Sequence, residues 1–185
     1  IKVINDFRQK DVVAGGQGSQ FSNFVLASAG STGATIASAG VMEFIPALMS
    51  DGVSYQTPYT CAIVNFSIGG AFLSESLIYI AACDGLNFSG AYLGGALTNT
   101  VNFNVNSVGA TLAVVHFSDV YLDGVNSTTG TTRAVKVSSG GSGSAHHIKF
   151  SNFHIGNYVE DGVVLGDDTF SVKLNGGAIA SCQGW

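Results

Sequence analysis

Val115-His116-Phe117-Ser118 and Ile148-Lys149-Phe150-Ser151 are two copies of one short pattern: apolar, polar, Phe, Ser. The pattern stands again at Val64-Asn65-Phe66-Ser67 and Leu86-Asn87-Phe88-Ser89. It is less complete at Phe21-Ser22 and Phe170-Ser171, and Phe44-Ile45 fills the gap between Phe21 and Phe66. The steps between these Phe residues are 23, 22, 22, 29, 33 and 20. Internal periods of this size mark a solenoid. The alternation around each Phe has period two, which reads as a short strand with one buried face.

The flanking columns extend the pattern. Three and five residues after Phe stand mostly apolar side chains, among them Phe24, Leu26, Leu93, Val120, Leu122, Phe153 and Ile155. A second inward-facing strand therefore follows a tight corner. Asn23, Gly90, Asp119 and Asn152 stand at that corner, and these residue types tolerate left-handed backbone. A period near 22 is too short for helix pairs, and the Leu/Asn ladder of leucine-rich repeats is missing. It suits one turn of a parallel β-helix, each strand pairing with its equivalent one turn on, about 4.8 Å away. The seven Phe then stack, and Cys61 with Cys83, each five residues before a Phe, become stacked neighbours. The pattern fades at Ser19 and at Asp168, Lys173 and Asn175, as expected of terminal repeats.

The expected fold is thus all-β, a parallel β-helix of about six or seven coils. Residues 1–20 are an extension or cap and 21–185 the solenoid, with loop insertions near 97–110 and 124–145. Within the first insertion, Asn102 to Asn106 alternates like an extra strand; the second carries the flexible run Ser138 to Ser144.

Composition bounds the function. The 185 residues carry only 10% charged side chains and net charge −5. No basic stripe exists for nucleic acid, and no apolar run approaches the roughly 20 residues of a membrane span. The 46% hydrophobic content is too high for disorder. Ile1 in place of Met points to a processed chain or a piece of a longer one. Three cysteines, Cys61, Cys83 and Cys182, lack zinc-ligand spacing; buried free thiols and a single disulfide both remain open. Of the sequons at Asn65, Asn87 and Asn126, the last lies in a polar loop and is the better acceptor.

Glycan hydrolysis requires two carboxyls across the scissile bond. Glu75 with Asp84, Glu160 with Asp161, and Asp119 with Asp123 are the pairs available. Asp119 and Asp123 flank one predicted corner and strand, so they are the catalytic candidates. Asp-Gly at residues 51, 84, 123 and 161 is first of all a turn signal. No metal-ligand set and no cofactor motif is present. Glu43, Asn65, Asn87, His116 and Lys149 occupy the exposed column beside each Phe. Such a ladder of amide and charged groups suits a hydroxyl-rich polymer. Tyr79, Tyr92, Tyr121 and Tyr158 offer aromatic platforms.

The run His147-Ile148-Lys149-Phe150-Ser151-Asn152-Phe153-His154-Ile155-Gly156-Asn157, followed by Asp161-Gly162-Val163-Val164-Leu165, resembles a coil of the right-handed parallel β-helix proteins. That pectate-lyase-like group includes phage tailspikes and tail fibres. The resemblance implies a right-handed solenoid on a virion or outside a cell, often a homotrimer, that binds or cuts polysaccharide. Asp6-Phe7-Arg8 with Gly15-Gly16-Gln17-Gly18 is also similar to a segment of anhydro-N-acetylmuramic acid kinases, in which Asp6 would be catalytic. Nothing after Gly18 continues that likeness. The expectation is a spike or fibre component, structural and adhesive, whose partner is cell-surface polysaccharide. The alternatives are a tailspike-type depolymerase using Asp119 and Asp123, and a filament subunit joined by exchange of residues 1–7.

Overall fold

The protein is described by a computed structural model covering residues 20–27, 39–48, 52–53, 55–57, 59–69, 75–96, 98–105, 111–124, 131, 133–139, 144–166 and 169–182. Asp6, the segment 1–7, the glycine run 15–18, Asp51, Asn126 and Asp168 lie outside these residues.

In chain order the strands are β1 (Gln20–Ala27), β2 (Gly40–Phe44), β3 (Ala47–Leu48), β4 (Tyr55–Gln56), β5 (Tyr59–Gly69), β6 (Ser76–Ile80) and β7 (Cys83–Gly94). They continue as β8 (Asn99–Val105), β9 (Thr111–Asp123), β10 (Arg133–Ser139), β11 (Ser144–Gly156), β12 (Val163–Leu165), β13 (Thr169–Asn175) and β14 (Ala178–Ala180). The described residues contain strands and no helix. One sheet runs β1-β5-β7-β9-β11-β13, with β14 also on β11; the other runs β12-β10-β8-β6-β2. Every pairing in both is parallel. The small β3–β4 pair is antiparallel. From β5 to β13 the chain alternates between the two sheets, and each return lands beside the previous strand of that sheet. This path is compatible with a solenoid.

The expected strand–corner–strand unit is present. The strands of the first sheet run through a corner with left-handed backbone: φ is 56° at Asn23, 52° at Asn65, 64° at Gly90, 55° at Asp119, 49° at Asn152 and 60° at Gly176. These positions form one column in register. A second left-handed column, Thr60, Gly85, Val114, His147 and Ser171, lies five residues earlier. The sequence does not announce it, because Thr60, Val114 and Ser171 are not residue types that favour this geometry.

The register corrects the expected stacking. Phe88, Phe117 and Phe150 do lie in one column. Their rings stack at 4.4 and 4.7 Å between centroids. Ile63, not Phe66, pairs with Phe88, while Phe66 pairs with Phe24 and Ala91 on the far side of the corner. Leu174, not Phe170, follows Phe150. Phe44 belongs to the second sheet, in register with Ile80. Its ring meets Phe88 edge-on across the core at 5.6 Å, as Phe103 meets Phe117 at 6.1 Å. The core is therefore the space between the two sheets, filled by fully buried Phe, Ile, Leu and Val. Burial of such side chains stabilises by about 1.5–3 kcal/mol each.

Two further expectations change. Asn99–Val105, which takes in most of the alternating run expected as an extra strand, and Arg133–Ser139 are both regular strands of the second sheet. Cys61 pairs with Leu86 and Cys83 with Leu112, so the two cysteines are not register partners. All three cysteines are free thiols.

Candidate functional site

The outer surface of the first sheet carries three parallel columns of side chains. Between the two corners, each strand presents its i and i+2 residues outward on either side of an inward Phe, Ile or Leu, which is fully buried in the middle strands and 40% exposed at Phe21 and Leu174. The first outward column reads Gln20, Ala62, Asn87, His116, Lys149, Lys173. The second reads Ser22, Val64, Ser89, Ser118, Ser151, Asn175. Past the Asn/Gly/Asp corner comes the third: Val25, Ser67, Tyr92, Tyr121, His154, Ala178.

The structure thus brings together three of the five ladder residues, Asn87, His116 and Lys149. Asn65 is displaced to the corner column beside Gly90. Glu43 lies in the second sheet, in register with Tyr79. It is buried, and its Oε1 accepts from the Gly40 amide at 3.1 Å.

His116 does more than occupy its column. Its Nε2 lies 2.7 Å from Ser151 Oγ on the next strand. Partial burial, then the neighbouring Lys149 ammonium, hold its imidazole below the usual histidine range, while Asp119 pulls the other way. A neutral imidazole in this position can accept the Ser151 proton or donate to the hydroxyl oxygen, depending on the tautomer. In the sequence Ser151 is visible only as part of the Phe-Ser repeat. Its diagonal reach to His116 is a property of the parallel register.

Both catalytic candidates are bound into contacts between strands. Asp119 Oδ1 accepts from Asn152 Nδ2, one strand on in the corner column. Asp123 accepts from Tyr92 OH and from Asn157 Nδ2, each at 3.2 Å. Glu160 and Asp161 share Arg133, at 2.5 and 3.5 Å.

Of the four tyrosines, Tyr158 is buried against Thr100 at 2.8 Å, and burial pushes its phenol far above the usual range. Tyr79 is part-buried on the second sheet and shifted upward mainly by burial. Tyr92 and Tyr121 face outward and stack on each other at 5.6 Å, and Tyr121 stacks on His154 at 4.6 Å. Stacked along one axis, the rings cover each other and turn their edges to solvent. His154 belongs to this ladder although its sequence context gave no sign of it. In register with Tyr92 on the preceding strand is Ser67, and two positions on is Gly69.

Among the described residues no group of three His, Cys, Asp or Glu side chains is placed to hold a metal ion. Among them, no helix is long and apolar enough to cross a membrane. No known family model, curated protein or solved structure matches the chain.

Proposed function

We propose that this chain is a right-handed parallel β-helix of about six or seven coils serving as a structural and adhesive segment of an extracellular or virion spike or fibre, and that it binds surface polysaccharide along the outer face of its first sheet. The observation that supports this reading is the repeat of that face. Amide, imidazole and ammonium groups, then hydroxyls, then aromatic edges recur along one axis at the spacing of paired strands, about 4.8 Å. A surface periodic in one direction suits a ligand that is itself a repeating chain. It offers many hydroxyl partners, each of modest strength.

Retention of the purified chain on immobilised polysaccharides, with an assay for new reducing ends, tests the reading. Binding without cleavage is the expected result; binding to no polysaccharide overturns it. Native mass separates a homotrimer from a monomer or a filament. The depolymerase alternative rests on Asp119 and Asp123, whose carboxylates are both committed to neighbouring strands. Cleavage abolished by Asp119→Ala or Asp123→Ala in a folded protein would establish it instead.

A further inference from the structure

The first outward column of the first sheet ends in three basic groups. His116, Lys149 and Lys173 are in register on three successive strands, β9, β11 and β13. The chain carries net charge −5, and only four of its seven Lys and Arg lie among the described residues. Arg133 is paired with Glu160 and Asp161, and Lys136 stands on the second sheet. The other two, Lys149 and Lys173, are set directly beside each other and are exposed. Like charges opposite one another on paired strands are destabilising. Among the described residues neither ammonium has a carboxylate within ion-pair distance. Asp119, the acid that acts on His116, stands at the corner and already accepts from Asn152. Beside the basic column runs one of hydroxyls and an amide: Ser118, Ser151 and Asn175.

We infer that this column seats successive anionic groups of an acidic polysaccharide lying across the strands, and that His116 takes up a proton when the polymer binds. The inference rests on the polysaccharide-binding reading and narrows it to charged glycans. Three basic positions at the strand spacing of about 4.8 Å form a line, not a point. A polymer with an acid on each repeat matches that line better than a single small anion does. An ammonium is a compact point charge, so carboxylate and sulfate both suit it. The neighbouring hydroxyls and carboxamide can bond to the hydroxyls of the glycan. The line is too short, and the protein too acidic, for the many phosphate contacts that hold nucleic acid. The proton follows from the surroundings of His116. Partial burial, then Lys149 from β11, disfavour its imidazolium; Asp119 on its own strand favours it, and Asn87 from β7 is uncharged. An anion seated on Lys149 cancels the repulsion and adds an attraction. In the imidazolium both ring nitrogens donate. Ser151 Oγ, 2.7 Å from Nε2, then accepts and turns its own proton to a ligand oxygen. By linkage, affinity rises as the pH falls through the bound-state pKa of His116 towards the free-state one.

The test uses the full chain with dextran, carboxymethyl-dextran and dextran sulfate, polymers of one backbone that differ in charge, beside a panel of neutral polysaccharides. The expected result is binding to one or both charged polymers, weakened by added salt; which of the two binds separates carboxylate from sulfate as the anion. Lys149→Met should lower affinity about tenfold and Lys173→Met by a smaller factor. Each variant removes a like-charge contact, so thermal stability should hold or rise, and lost binding is then not lost fold. Isothermal titration in two buffers of different ionisation enthalpy reads the proton uptake. Dextran sulfate keeps its own charge, so its affinity should rise as the pH is lowered from about 8 to about 6. His116→Gln should retain binding at the upper pH and abolish the uptake. Charged-polymer binding with no proton uptake would overturn the role of His116. Binding of neutral polysaccharides alone, unmoved by either lysine variant, would overturn the column and leave the adhesive reading standing. Displacement of the polymer by duplex DNA at equal charge concentration would make the column a general polyanion patch and overturn the inference as well. Binding to no polysaccharide at all overturns both.

Discussion

The side-chain amide of Asn152 donates to Oδ1 of Asp119 one strand away, and both residues hold left-handed backbone at the same corner. The residue type that permits the turn therefore also ties one turn to the next. Asn65 shows the same economy in another form. Its Oδ1 occupies the place where a Cβ at Gly90 would lie, 2.6 Å away.

Asn152→Ala should cost about 2–3 kcal/mol. Roughly 1–2 comes from placing Ala at positive φ and about 1 from the lost hydrogen bond. Asn152→Gly keeps the backbone conformation at ease and should cost about 1 kcal/mol or less. Urea midpoints at constant slope measure both. Equal losses would mean that the corner conformation contributes nothing.

Val114→Asn should stabilise the protein. Val114 is β-branched, holds φ of 52° and is 53% exposed, so its conformation is strained and its side chain gains little from burial. Asn is far better suited to this backbone. A gain of about 1 kcal/mol, a few degrees in Tm for a chain of this size, is expected by calorimetry. A lower Tm would show that Val114 has a packing role.

Phe117→Ala should be the most damaging single truncation. The ring is fully buried between Phe88 and Phe150 and meets Phe103 from the opposite sheet. A loss of about 3–5 kcal/mol follows from the transfer and cavity terms together. Phe24→Ala, in the first strand and only part-buried, should cost clearly less in the same denaturation assay.

The His116 imidazole should titrate below the usual histidine range in an NMR pH series. Removing the nearby ammonium with Lys149→Met should raise that pKa, and Asp119→Asn should lower it. A depressed folded-state value means that the unfolded chain takes up the proton first. The stability associated with neutral His116 is thus present above about pH 6.5 and is lost as the pH falls through the folded-state pKa. A pKa unmoved by Lys149→Met would contradict the arrangement.

Cys83 should resist thiol reagents until the chain unfolds. It is buried, and burial pushes its thiol well above the usual range, with Asp84 and Cys61 adding to the shift. Cys61 is shifted upward by burial as well. Ellman's reagent on the native protein should therefore label Cys182 at most, and three thiols in denaturant.

How far the sequence could be read is best seen in two identical tripeptides. Asn65-Phe66-Ser67 and Asn87-Phe88-Ser89 look like one element of one repeat. In the fold, Asn65 is the corner and Phe66 lies past it, whereas Asn87 and Phe88 lie before it and Gly90 is the corner. Local alternation is the same in both phases, so it revealed strands, an apolar interior and a turn-prone column. It did not reveal which turn-prone residue bends. That choice depends on which neighbour across the pairing fills the space. The middle strands, where Phe88, Phe117 and Phe150 share a phase, were legible for this reason. Asn65 in the ladder was not, nor was Glu43, whose strand pattern fits either sheet. The Tyr92–Tyr121–His154 stack joins residues 29 and 33 positions apart. It becomes visible only once the register is known.

Each strand of the first sheet pairs only with the strands before and after it, apart from β14 sharing β11. The burial of the Phe column falls from complete at Phe88, Phe117 and Phe150 to 40% exposed at both Phe21 and Leu174. Mechanically, this is a zipper rather than a ball. Thermal opening starts at either end and must pass through every intermediate level before reaching the phenylalanine stack. A force along the axis tests the weakest rung, while a force across it loads many rungs at once.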